Sequence, residues 1–206
     1  LKDFTTVDAS SAFSCTITQG KNWSVVATVD QNVVDYVDIS VSNSILTVGL
    51  KPSWSVAGLA TMKVAITMPS LATLKLSGAS SGVVTGFNDA SDSLNLGLSG
   101  ASSLKWTGGA PKSTTLDASG ASTIEMDSFA TTAMSATVSG ASKLTGKAGS
   151  ATATTMSLNV SGASTVIFDV SSKITGEVSG ASTLRYGLSP DVSSINSSGS
   201  STVSAR

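Results

Sequence analysis

The sequence predicts an all-β chain wound into a single-stranded parallel β-helix with coils of about 20 residues, and three observations predict it. The tetrapeptide Ser-Gly-Ala-Ser begins at Ser77, Ser99, Ser119, Ser139, Ser161 and Ser179, at spacings of 22, 20, 20, 22 and 18 residues. A period near that length with strand-like content is the mark of a solenoid. Apolar and polar residues alternate on both sides of the motif, which is the two-residue period of a strand. Finally, the units are rich in Ser, Thr, Val and Gly, which disfavour helices.

Aligned on the motif, the copies form columns. The position before it reads Leu76, Leu98, Ala118, Val138, Val160 and Val178, and two residues earlier stand Leu74, Leu96, Leu116, Ala136, Leu158 and Gly176. The second residue after it reads Gly82, Leu104, Ile124, Leu144, Val166 and Leu184, followed two further on by Val84, Trp106, Met126, Gly146, Phe168 and Tyr186. These columns are the expected core. The motif itself reads as a corner, with Gly78, Gly100, Gly120, Gly140, Gly162 and Gly180 supplying a backbone conformation closed to other residues. The closing serines, Ser80, Ser102, Ser122, Ser142, Ser164 and Ser182, could stack as a hydroxyl ladder, facing inward by strict alternation or outward if the glycine reverses the chain.

Residues 1–70 are expected to form irregular first coils, and 71–206 the regular ones, of one domain. A small β-sandwich ahead of the helix is the alternative. Five strand-like runs fill the irregular part: "AFSCTITQ", "WSVVATVD", "DYVDISVS", "SILTVGLK" and "TMKVAITM". Turn signals separate them at Gln19–Asn22, Ser42–Ser44 and Lys51–Ser53, and Pro69 fits a corner. "ASSAFS" at Ala9 and "VSNSIL" at Val41 read as degenerate copies of the corner.

Composition narrows the function. Hydrophobic residues make up 40% and charged residues only 12%, so the chain folds rather than staying disordered. A net charge of −1 without a basic block argues against nucleic acid and anionic lipid as partners. No apolar run is long enough for a transmembrane helix. The lack of histidine excludes a histidine triad or metal site, and the lone Cys15 reads as a small buried residue. No cofactor is implied. A first residue Leu1 rather than Met suggests a removed leader.

The segments "FTTVDASSAFSCTITQG", "YVDISVSNSILTVGL" and "VAITMPSLATLKLSGAS", followed by the repeated corners, resemble the GIN-domain family of autotransporter-adhesin head domains. Departures are Ser11, where that family often has glycine, and the eroded last corner, Ser-Gly-Ser-Ser at Ser198. The resemblance implies a right-handed parallel β-helix in a secreted, periplasmic or cell-surface protein of the bacterial envelope. Its expected partner is a surface ligand, a glycan or a protein, with no catalysis.

Other functions must be weighed against this one. Parallel β-helices also serve as polysaccharide lyases and hydrolases, which need clustered carboxylates. Asp127, Lys147 and Asp169 occupy one column in three consecutive coils, and Asp117 and Glu125 belong to the coil of Asp127. These five are the candidate ligand-binding residues. As ordinary cross-strand charge pairs they would be exposed and structurally minor. Trp106, Phe168 and Tyr186 could form a sugar-stacking platform, but their column marks them as core. The residues after the motif, Ser81, Ser103, Thr123, Lys143, Thr165 and Thr183, suggest an ice-binding array, but Lys143 and the uneven coil lengths break its regularity. A lipid or small-ligand binder has no specific signal. At the chain end, Ser197–Arg206 is expected to be weakly held and dispensable for folding, with Arg206 discouraging pairing at an open strand edge.

Overall fold

Among the described residues, nineteen strands and one short 3₁₀ turn are present, and every one of these strands joins a single hydrogen-bonded sheet. The computed structural model describes residues 1–55, 60–88 and 92–206. In chain order the strands are β1 (Thr6–Ala9), β2 (Ser14–Gln19), β3 (Ser24–Val29), β4 (Val37–Ser42), β5 (Ile45–Leu50), β6 (Met62–Met68) and β7 (Thr73–Leu76). Next come β8 (Ser81–Thr85), β9 (Ser93–Leu98), β10 (Ser103–Thr107), β11 (Ser113–Ala118), β12 (Thr123–Asp127) and β13 (Phe129–Val138). The last are β14 (Lys143–Gly146), β15 (Ala151–Val160), β16 (Thr165–Val178), β17 (Thr183–Leu188), β18 (Asp191–Ser197) and β19 (Thr202–Ala205).

The chain coils as a parallel β-helix. A front face stacks β5, β1, β7, β9, β11, β13, β15, the second half of β16 and β18 in parallel register. A back face stacks β6, β2, β8, β10, β12, β14, the first half of β16, β17 and β19. Strand β16 is long enough to serve both faces. In the stacked parallel strands the side-chain alternation sends most apolar residues into the space between the faces, with Ile45 and Val83 left exposed. The four apolar columns are buried there, apart from Gly176 and Tyr186, which are half-buried. Volumes compensate between layers: Phe168 fills the space above Gly146, and Trp106 meets Phe129 edge-on with centroids 6.5 Å apart.

The Ser-Gly-Ala-Ser segments join front to back. Each glycine has positive φ, from 61° at Gly78 to 78° at Gly162. In that conformation the glycine carbonyl accepts a bond from the alanine N–H of the next corner, as from Ala121 to Gly100 (2.8 Å) and from Ala141 to Gly120 (2.7 Å). The closing serines face inward. Their hydroxyls form no ladder with one another; they donate to corner carbonyls, as Ser102 to Ser99 and Ser122 to Ser119, both at 2.7 Å. Ser80 alone in this column is buried without a partner. The corner at Ser198 keeps the same backbone, with Gly199 at φ 71° and Ser200 N–H bonded to Gly180 O at 2.8 Å.

The first residues do not follow chain order. β1 and β2 are joined by a true corner, where Ser11 and Ala12 take φ of 60° and 62° and Ala12 N–H reaches Gly78 O. The chain then runs outward to β3 and β4, which pair antiparallel with β6 and β5 and terminate the parallel stack. "VSNSIL" is therefore not a corner, contrary to its resemblance to one. Asn43 and Ser44, at φ 49° and 61°, form the two-residue turn of the β4–β5 hairpin, whose twist requires both central residues in the left-handed region.

Candidate functional site

Asp117, Glu125, Asp127, Lys147 and Asp169 do not form one cluster. Asp117 points outward from β11 on the front face, while Glu125 and Asp127 lie on β12 at the back. Glu125, Asp127 and Lys147 share a shallow groove of about 330 Å³ with Lys105 and Thr145. Asp127 ends its strand because Ser128 turns the chain at φ 52°, carrying Phe129 into the core. Its carboxylate accepts from Lys147 Nζ at 2.7 Å and from the hydroxyls of Ser150 and Ser128.

Asp169 leaves the exposed column in which the alignment placed it. It is only 4% exposed, between buried Phe168 and Val170, where the chain bends. Its carboxylate takes a two-pronged bond from Arg206 and the Gly149 N–H at 2.7 Å. The acid–base–acid ladder is thus an exposed Asp127–Lys147 pair beside a buried Asp169–Arg206 pair. Arg206 accordingly does not guard an edge: it reaches back across the stack, also donating to Gly146 O at 3.0 Å.

These partners set the chemistry. Lys147, then the bonding hydroxyl of Ser150, pull Asp127 down to a pKa of about 2, so it stays a carboxylate at neutral pH and has no proton to give. Its contribution to stability is present above the usual carboxylate value and lost as pH falls toward 2. Lys147→Met is expected to raise the Asp127 midpoint toward the usual carboxylate range. A carboxyl-carbon NMR titration checks this, and an unmoved midpoint would contradict the assignment. Burial pushes the Cys15 thiol up to about 12, which makes it inert. Among the described residues no three of His, Cys, Asp or Glu converge as metal ligands. Trp106 and Phe168 are buried and Tyr186 half-buried, so they offer no open sugar platform.

The front face carries a feature that the motif alignment missed. Its outward residues form a column of Thr73, Asn95, Thr115, Ser135, Ser157, Thr175 and Ser194, in register from strand to strand. A second column runs Asp117, Thr137, Asn159, Glu177 and Asn196. Grooves of about 490 and 310 Å³ flank the first column. The hydroxyls of Thr115, Ser135, Ser157, Thr175 and Ser194 have no intramolecular hydrogen bond, unlike those of the inner serines other than Ser80. The signal was present in the sequence two and four residues before the corners, but polar strand residues usually mean only a solvated face.

A parallel β-helix with ordered polar faces, and with Asp127 and Asp169 each engaged by a cation, defines a repeat scaffold suited to presenting a surface. The chain belongs to the family described as "Putative auto-transporter adhesin, head GIN domain", whose model matches residues 3–190. No curated protein matches the sequence. Among solved structures, a putative adhesin from Bacteroides fragilis NCTC 9343 is similar, with a TM-score of 0.90 at 18% identity, over 100% of this chain and 94% of the other. A putative adhesin from Parabacteroides distasonis ATCC 8503 gives a TM-score of 0.75 at 18% identity over 100% and 94% of the two chains. A protein from the same organism described as a putative lipid binding protein gives 0.70 at 15% identity, over the same shares. At these identities the likeness speaks to the fold alone.

Proposed function

We propose that the chain, acting as one module over residues 1–206, is a non-catalytic recognition domain of the bacterial cell surface that binds an extended glycan along its front face. The observation that carries this reading is the column of unpartnered hydroxyls between the two axial grooves. Parallel strands repeat every ~4.8 Å, close to the length of one sugar residue in an extended chain. Each coil can therefore offer its hydroxyl or amide to successive sugars. Rigid strands hold these groups in place, which lowers the ordering cost of binding. Adhesin family membership supports the surface role, and among the described residues no helix is long and apolar enough to cross a membrane.

The back-face groove is the alternative site and would suit a carbohydrate-active enzyme. Its Asp127 is held ionised and engaged by Lys147, which favours binding over catalysis. Incubation with a panel of extended polysaccharides, following both retention and product size, tests the proposal. Retention without shortening is expected, with or without Ca²⁺. Shortened products that disappear in Asp127→Asn would overturn it.

A further inference from the structure

We infer that the outer face of the Trp54 ring, stacked on Tyr36 beside the antiparallel end of the coil, is a separate binding site for a single neutral sugar ring. The inference rests on the recognition reading only in taking a glycan as the ligand class. Its own basis is a different set of residues at a different place.

Three tryptophans are present, and two are fully used by the fold. Trp106 is buried with its indole N–H on Gly108 O at 2.7 Å, and Trp23 donates to Phe4 O at 3.1 Å. Trp54 is 52% exposed, and its indole N–H has no intramolecular acceptor. An exposed tryptophan with a free donor is an aromatic plate with a polar handle.

The plate is held by a ring on one face and by the hydrogen bonds of its own loop. Tyr36 closes the 3₁₀ turn Val34–Tyr36, and its ring lies 3.8 Å from that of Trp54 with 26° between planes. Lys51 N–H bonds Tyr36 O at 2.8 Å, Trp54 N–H bonds Lys51 O at 3.2 Å, and Lys51 Nζ bonds Asp35 O at 2.6 Å. The ring pair is thus preorganised, so a ligand need not pay to order it.

The chemistry around the plate selects the ligand. The rings touch, so there is no gap of the kind that cages a methylated cation between facing aromatics. Only the outer face is free, which suits one flat ring. Lys51, Ser53 and Ser55 are exposed beside Trp54, and the exposed Asp35 carboxylate makes no ion pair or hydrogen bond. A pyranose matches this set. Its C–H face would lie on the indole, and its hydroxyls would meet polar groups at the ring's edge, the indole N–H first among them. A nucleobase could stack equally well, but the chain has no basic patch to take its phosphates.

The test is the indole N–H resonance of Trp54 in the whole chain, titrated with glucose, galactose, mannose and N-acetylglucosamine and their disaccharides. A one-ring contact is expected in the millimolar range. The account expects at least one sugar to give a saturable shift of the Trp54 indole and of the Asp35 and Lys51 amides, with the Trp23 and Trp106 indoles unmoved. Trp54→Ala should weaken the shifts at Asp35 and Lys51 about tenfold or more, while Trp54→Tyr keeps part of them. Circular dichroism checks that each variant is folded, and the wild-type titration stands without them. No saturable shift with any of these sugars overturns the inference, as does a shift produced only by an apolar peptide. Because this readout does not involve the front face, loss of Trp54 binding leaves the proposed polysaccharide site untouched, and the converse also holds.

Discussion

Gly120→Ala is expected to destabilise the fold by about 2–5 kcal/mol, against about 1–2 kcal/mol for Gly149→Ala. Both glycines have positive φ, 74° and 67°, so both substitutions carry the cost of a left-handed alanine. They differ in what the new methyl would meet. At Gly120 it would overlap Gly100 O, the carbonyl that Ala121 N–H uses to bind the corner below. At Gly149 nothing lies within 4 Å. The repeated tetrapeptide is therefore bland for a steric reason: stacked corners leave no room for a Cβ. Urea melts of the two variants measure the difference, and equal losses would contradict the stacked-corner account.

Arg206→Ala is expected to cost about 3 kcal/mol, because it strands the Asp169 carboxylate in the interior with only the Gly149 N–H to satisfy it. The side chains are 16% and 5% exposed, so solvent does little to replace the lost partner. Asp169→Asn combined with Arg206→Met should cost less than Arg206→Ala alone, since no unpaired charge is left inside. Gly187→Ala should be damaging for the same reason, as its methyl would overlap the Asp169 carboxylate. The segment Ser197–Arg206 is thus tied to the stack, and its deletion would remove the partner of a buried charge. A stability loss for Arg206→Ala of under about 0.5 kcal/mol would contradict this clasp.

Most of the coil was legible because stacking forces like residues into columns. The period of the corner, the alternation around it and the buried columns are one physical fact seen in the sequence three ways. What was not legible had three causes. The Ser-Asn-Ser turn of the β4–β5 hairpin needs the same left-handed backbone as a corner, so residue type alone does not separate them. Asp169 breaks the alternation where β16 bends between faces, and its partner lies 37 residues downstream. Trp54 stands in an irregular excursion with no repeat against which to align it.

The candidate site was legible only as charge. Glu125, Asp127 and Lys147 do share a groove, but Asp117 faces the other way and Asp169 is buried. The front-face hydroxyls escaped notice because serine and threonine on a strand look like ordinary solvated positions. Their common register and lack of internal partners emerge only when the coils are stacked.

The central claim is that recognition uses the front face, and binding isotherms for any polysaccharide retained by the chain test it most directly. Two variants are compared with the wild type: Ser135→Arg with Ser157→Arg on the front, and Lys105→Met with Lys147→Met at the back. The account predicts that the front pair weakens binding about tenfold or more and the back pair leaves it within about twofold. Unchanged binding in the front variant, or a loss confined to the back variant, would contradict it.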